Sequence, residues 1–191
     1  EMRPGDWSSD VCSSDLIIAG TGYQPNILLS IMIAIVKTQI NAYGFDSPTP
    51  LVNQLSFETY NAKFKPNNTV FDWLCSDEQE LHKYISDALC TDSISAGLFY
   101  QLLNSLKYTG RKDAYVNYDK DMPILLLSGE KDPVGNFGKG IKSVEKAMKK
   151  AGLTNSKTYL FSNARHDIFH EINSGCTNQV VQLIQSLINR T

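Results

Sequence analysis

Met122-Pro123-Ile124-Leu125-Leu126-Leu127-Ser128-Gly129 is a short unbroken apolar run, closed by Pro on one side and Gly on the other. A run of that length without alternation predicts a strand covered on both faces, as in a parallel sheet. Downstream, Phe137, Ile141, Val144, Met148 and Ala151 repeat at helical spacing, and Gly152 falls where a C-terminal cap belongs. Thr158-Tyr159-Leu160-Phe161 then predicts a second strand, and Val180, Ile184 and Leu187 the apolar stripe of a last helix. Strand, helix, strand, helix is a βαβ unit with an added helix, and its crossover is expected to be right-handed. The expected fold class is therefore α/β.

Working upstream, Ile17-Ile18-Ala19 followed by Gly20-Thr21-Gly22 reads as the end of a buried strand entering a tight loop. From Asn26 to about Tyr115 the signals are helical. Ile27 to Ile40 is apolar on most sides, as in a helix covered by neighbours. Ser76-Asp77-Glu78-Gln79 has a capping-box pattern ahead of Leu81, Ile85 and Ala88 on one helical face. Ile94, Leu98, Phe99, Leu102, Leu103 and Leu106 mark another amphipathic helix.

The chain is 191 residues long and 42% apolar, enough for one domain with a filled core. Its 18 basic and 20 acidic residues leave a net charge of −2 without long runs of one sign, so no nucleic-acid footprint or basic membrane patch is expected. Small molecules are the expected partners. Cys12, Cys75, Cys90 and Cys176 show no CxxC spacing and are read as free thiols in a reducing cytoplasm. The longest apolar stretch, Ile27 to Val36, is ten residues, whereas spanning a bilayer needs about 20; no stable membrane insertion is expected. The N-terminus has no apolar segment before a small-residue cleavage site and does not read as a secretory signal. The glycosylation patterns at Asn67-Asn68-Thr69 and Asn189-Arg190-Thr191 have no force without secretion.

Residues 6–16, DWSSDVCSSDL, break from this composition. The run resembles the translation of a common short-read sequencing adapter along its whole length. Residues 1–16 are accordingly read as a non-native leader, with native sequence upstream of Ile17 expected to have been lost.

Ligands of open parallel sheets gather at the carboxyl ends of the strands. The first strand of the βαβ unit is followed by Gly129-Glu130-Lys131-Asp132-Pro133-Val134-Gly135, and the second by Ser162-Asn163-Ala164-Arg165-His166-Asp167. Asp132 and His166 are thereby placed on adjacent loops where they could hydrogen-bond, as the acid and base of a triad do.

MPILLLSGEKDPVGNFGKG at 122–140 and YLFSNARHDIFHEIN at 159–173 resemble the α/β-hydrolase fold, in its lysophospholipase and monoacylglycerol-lipase-like (serine aminopeptidase-like) branch. The resemblance implies that Asp132 orients the imidazole and that His166 is the general base. Asp167 stands where that family usually has Glu. IIAGTGYQP at 17–25 resembles the strand and loop after the nucleophile helix, and the helical stretch 26–115 the cap inserted over the active site. The expected organisation is thus a leader over 1–16, core strand and loop over 17–25, helical cap over 26–115, and a C-terminal βαβα part of the core over 116–191.

The family's nucleophilic Ser sits in a GxSxG elbow ahead of the acid and base. No GxSxG occurs in these 191 residues, and Ser8, Ser9, Ser13 and Ser14 belong to the foreign run. The resemblance implies a serine hydrolase of lysophospholipid or monoacylglycerol-type esters, needing no cofactor and no metal, and expected to be inactive as written. Two alternatives stay open: a non-catalytic binding protein of this fold, and a peptidase of this fold.

Other motifs are weaker. His166 and His170 at i and i+4 could chelate zinc from a helix, but Asp167 replaces the usual Glu and no third ligand is evident. The plainer reading of His170 and Glu171 is the polar side of a short helix. Gly135, Gly138 and Gly140 suggest a phosphate loop, yet Lys139 precedes Gly rather than Ser or Thr, so they are read as shaping a turn and a helix start. His82 is read as solvent-exposed. Phe71, Trp73, Phe99 and Tyr100 could line an acyl pocket, though aromatics at helical spacing usually fill a core.

Overall fold

The structure is a computed structural model describing residues 15–90, 94–111 and 113–189. The adapter-like run up to residue 14, with Cys12 and its serines, lies outside the described residues, as do the last two positions of the C-terminal glycosylation pattern. The principal elements are β1 (Leu16–Ala19), α1 (Asn26–Tyr43), α2 (Glu78–Ser86), α3 (Ala96–Thr109), β2 (Ile124–Gly129), α4 (Lys139–Lys150), β3 (Ser156–Phe161) and α5 (Cys176–Ile188). The chain divides into two compact units, one of residues 23–111 and the other of residues 1–22 with 112–191.

The discontinuous unit is built on a three-stranded parallel sheet ordered β1-β2-β3. Leu16 lies opposite Ile124, and Ile124 opposite Ser156, with β2 and β3 in step through Gly129 and Phe161. β1 starts at Leu16, one residue before the expected Ile17. All six residues of β2 are buried, which is why its sequence shows no alternation. Leu125 and Leu127 pack on one side with Phe161, Ile168, Val180 and Leu187. Ile124 and Leu126 pack on the other with Ile141, Val144, Met148 and Leu153. The sheet is therefore covered by α5 on one face and α4 on the other.

α4 forms because Ile141, Val144 and Met148 fall on one face while Lys139, Lys142, Lys146, Lys149 and Lys150 stay exposed. It stops at Gly152, whose φ of +92° suits only the residue without a Cβ. The amides of Gly152 and Leu153 bond back to Lys149 and Met148 at 3.1 and 3.0 Å, and Leu153 is buried under the turn. Phe137, expected at the start of this helix, lies outside it. Asn136, Phe137 and Gly138 all have positive φ (48°, 55° and 79°), so the backbone becomes helical only after Gly138.

The second unit is mainly helical among the described residues, with short helical turns over 50–64 and one isolated antiparallel bridge between Pro48 and Ser95. Leu29 and Val36 of α1 meet Val52 and Ala96, Phe99 and Leu103 of α3 in its core. Phe99 belongs to this core and the buried Trp73 adjoins it through Phe57, which stacks on Trp73 at 5.4 Å and meets Phe99 edge-on at 6.2 Å. Phe71 packs against Tyr84 at 5.2 Å, and Tyr100 is partly buried against the core. His82 is exposed.

Three expectations for this unit need correction. The helix cap is Asp77 rather than Ser76: its side chain accepts from the amides of Gln79 and Glu80 at 3.1 and 3.3 Å, and α2 ends before Ala88 with Ile85 exposed. Asp77→Ala is expected to cost about 1 kcal/mol of stability, measured as a lower urea midpoint at unchanged slope. On α3 the stripe Leu98, Leu102 and Leu106 is exposed while Phe99 and Leu103 turn inward. Along α1 only Leu29 and Val36 are buried, and Ile27 is 78% exposed, so its apolar outer side is not covered as expected.

α1 also revises the reading of membrane length. Its polar Lys37, Thr38 and Gln39 continue the helix past the apolar stretch to 18 residues, of which Leu29 and Val36 are buried. By length and composition alone it could cross a bilayer.

Candidate active site

β2 and β3 end on the same side, and backbone bonds lock their exit loops together. The amide of Glu130 donates to the Phe161 carbonyl at 3.0 Å and that of Lys131 to the Ala164 carbonyl at 2.9 Å. Gly129 sits where these loops touch: a Cβ there would collide with the carbonyl oxygens of Ala164 and Arg165. Gly129→Ala is expected to destabilise the protein by about 1–3 kcal/mol, read as a drop in thermal midpoint.

Asp132 comes three residues after β2 and is wholly buried. Its Oδ1 accepts the Val134 amide at 2.8 Å, a local turn that aims the carboxylate. Its Oδ2 lies 3.1 Å from Nδ1 of His166, which is 28% exposed at the side chain. A carboxylate can only accept, so Nδ1 carries the proton and Nε2 is the basic nitrogen. The structure thus brings together the two residues singled out by sequence.

Three glycines let the backbone close around the pair. Gly20, in the loop after β1 with φ +62°, has its Cβ position 3.1 Å from His166 Cε1. At Gly135 the corresponding position is 3.2 Å from Asp132 Oδ2. At Gly22 it is 2.7 Å from the Val134 carbonyl oxygen. The loops after β1, β2 and β3 therefore all contribute to one site at the carboxyl end of the sheet.

The neighbouring motif differs from expectation. Residues 166–171 form turns rather than a helix, so His166 and His170 do not share a helical face. His170 Nδ1 lies 2.7 Å from Asp167 Oδ2, and this second histidine–aspartate pair is exposed. Glu171 is not on a polar face: it is 1% exposed, and Oε1 accepts the Arg165 amide at 2.8 Å. Its one sequence signal is an acidic residue in the loop that also carries His166; nothing in its type marks it as buried. A shallow cavity lined by Pro123, Asn155, Lys157, Tyr159, Leu183 and Ser186 lies at the opposite, amino end of β2 and β3, away from the pair.

Cys75, Cys90 and Cys176 carry no disulfide among the described residues. Burial, with the Glu171 carboxylate adding to it, pushes the Cys176 thiol up to about 11. At pH 8 roughly one molecule in a thousand would then carry a Cys176 thiolate. Among the three described cysteines, alkylation of the native chain at that pH is expected to spare Cys176 and modify the half-buried Cys90 first, as peptide mapping by mass spectrometry would show.

A model of the family described as Hydrolase_4, serine aminopeptidase, S33, matches residues 14–173. Among solved structures, a thermostable carboxyl esterase from Bacillus coagulans in complex with glycerol superposes with a TM-score of 0.77 at 20% identity, covering 92% of this chain and 57% of its own. A lipase in its open form gives 0.74 at 22% identity, covering 98% and 60%. A monoacylglycerol lipase from Paleococcus ferrophilus gives 0.58 at 16%, covering 92% and 58%. This chain therefore spans under two thirds of the length of each of them. No curated protein sequence matches it.

Proposed function

Because the chain belongs to the Hydrolase_4 (serine aminopeptidase, S33) family and has the α/β-hydrolase fold, we propose that it is the acid- and base-bearing portion of a serine ester hydrolase. The observation that carries this reading is the 3.1 Å pairing of the buried Asp132 with His166 at the carboxyl end of the sheet. A serine hydroxyl attacks an ester carbonyl while Nε2 of His166 takes its proton and passes it to the departing alcohol. Asp132 holds the ring in the required tautomer and stabilises the imidazolium. Water, activated by the same nitrogen, then releases the acid.

The serine and its oxyanion-hole donors are assigned to sequence other than these residues, since no GxSxG is present in the 191. The substrate class proposed is a monoacylglycerol or lysophospholipid. Support comes from the fold's likeness to a monoacylglycerol lipase and to an esterase holding glycerol. The 191-residue chain is expected to leave a short p-nitrophenyl ester unhydrolysed and to take no label from a fluorophosphonate, because a lost oxyanion donor alone costs about 100- to 1000-fold and the nucleophile is missing as well. Hydrolysis by the purified chain that disappears in His166→Ala would contradict this. In a longer form with a nucleophile elbow, faster turnover of an aminoacyl p-nitroanilide than of monoacylglycerol would replace the esterase reading with a peptidase one. No turnover and no label in that form would favour a binding role.

A further inference from the structure

Among the described residues, Asp132 and Glu171 are the acidic side chains less than 2% exposed. Taking a carboxylate out of water is unfavourable unless it is bonded to something that uses it. Asp132 faces His166. Glu171 faces the residue just before His166: its Oε1 accepts the Arg165 amide at 2.8 Å.

That amide belongs to a segment with no regular secondary structure, so neither strand nor helix hydrogen bonds set the direction in which His166 leaves the backbone. Two contacts do. On one side the Ala164 carbonyl accepts from Lys131 at 2.9 Å, and the Ala164 and Arg165 carbonyls crowd the α-carbon of Gly129. On the other side stands the Glu171 carboxylate. Glu171 is itself anchored, because its carbonyl accepts from Ser174 Oγ at 2.9 Å. Its charge is felt at Cys176, in the first turn of α5.

We propose that Glu171 is a positioning residue: its carboxylate fixes the Arg165 peptide and thereby holds Nδ1 of His166 on Asp132. This role rests on the reading of Asp132 and His166 as a working pair. It is distinct from a general contribution to stability, because it concerns the imidazole proton rather than the fold as a whole.

The test uses the 191-residue chain labelled with nitrogen-15 at histidine. The unsubstituted chain is expected to show one slowly exchanging, far-downfield Nδ1–H resonance that is lost in Asp132→Asn. The exposed His170 pair exchanges too fast to contribute. Glu171→Gln, which keeps an acceptor at Oε1, is expected to retain the resonance. Glu171→Ala is expected to lose it, with exchange at least about tenfold faster, at a temperature where the remaining spectrum is native. Glu171→Leu, which keeps the volume and removes the acceptor, takes its place if the alanine variant does not fold. A folded Glu171→Ala or Glu171→Leu chain that keeps the resonance while its thermal midpoint falls would show a merely structural residue and overturn the proposal. Equal loss in Glu171→Gln would also overturn it. An unsubstituted chain without the resonance would instead overturn the Asp132–His166 pairing, and the ground for this role with it.

Discussion

Replacing His166 by alanine in a form of the protein that carries a nucleophilic serine is expected to lower kcat by roughly a million-fold, with Asp132→Asn costing roughly ten-thousand-fold. The difference follows from the geometry. In the proposed mechanism His166 moves the proton in both halves of acyl transfer, and without it the serine hydroxyl is a poor nucleophile. Asp132 acts through His166, and the amide in Asp132→Asn offers Nδ1 either an acceptor or a donor, so part of the population keeps a usable tautomer. Since Asp132 is buried beside Gly135 and bonded to the Val134 amide, asparagine fits with little displacement. Steady-state hydrolysis of a monoacylglycerol with KM measured separately checks both values. Activity within tenfold of the parent in His166→Ala would remove the residue from the chemistry.

Leu126→Ala is expected to be among the most damaging single substitutions to stability, at about 2–5 kcal/mol. Leu126 is fully buried on the central strand, paired with Ile18 on one side and Thr158 on the other. Its side chain belongs to the cluster of Ile141, Val144, Met148 and Leu153. The surrounding strands are fixed by backbone hydrogen bonds, so the cavity left behind cannot readily collapse. Denaturant unfolding should show a lower midpoint with an unchanged slope. A loss under 1 kcal/mol would mean that α4 repacks onto the sheet, which its Gly152-capped end opposes.

The legible parts of this molecule were those with a one-dimensional signature. β2 is buried on both faces and reads as an unbroken apolar run, and strand ends in a parallel sheet tell where to seek Asp132 and His166. Phe137 misled because helical spacing of apolar residues carries no information about left-handed φ at Asn136 and Phe137. Ser76 and Asp77 are both competent caps one position apart, and only the backbone at Asp77, extended with its side chain turned toward Gln79 and Glu80, separates them. The apolar composition of α1 suggests burial all round, whereas Leu29 and Val36 are its buried residues. Glu171 was missed for a more general reason. An acidic residue is assigned to the surface by default, and one partner that supports its burial is a backbone amide, which has no letter in the sequence.

The order in which the sheet is threaded carries a kinetic consequence. Leu16 pairs with Ile124 across 108 positions, whereas Ile124 pairs with Ser156 across 32. By chain-closure entropy the longer span costs about 1 kcal/mol more to close. β1 is also only four residues long and, among the described residues, bonded along a single edge. The hairpin-free pair of β2 and β3 is therefore expected to be the seed from which this half assembles, with β1 docking last and departing first. The Gly20 loop that leans on His166 travels with it, so the earliest event in unfolding strips one wall from the imidazole while the two longer strands are still zipped.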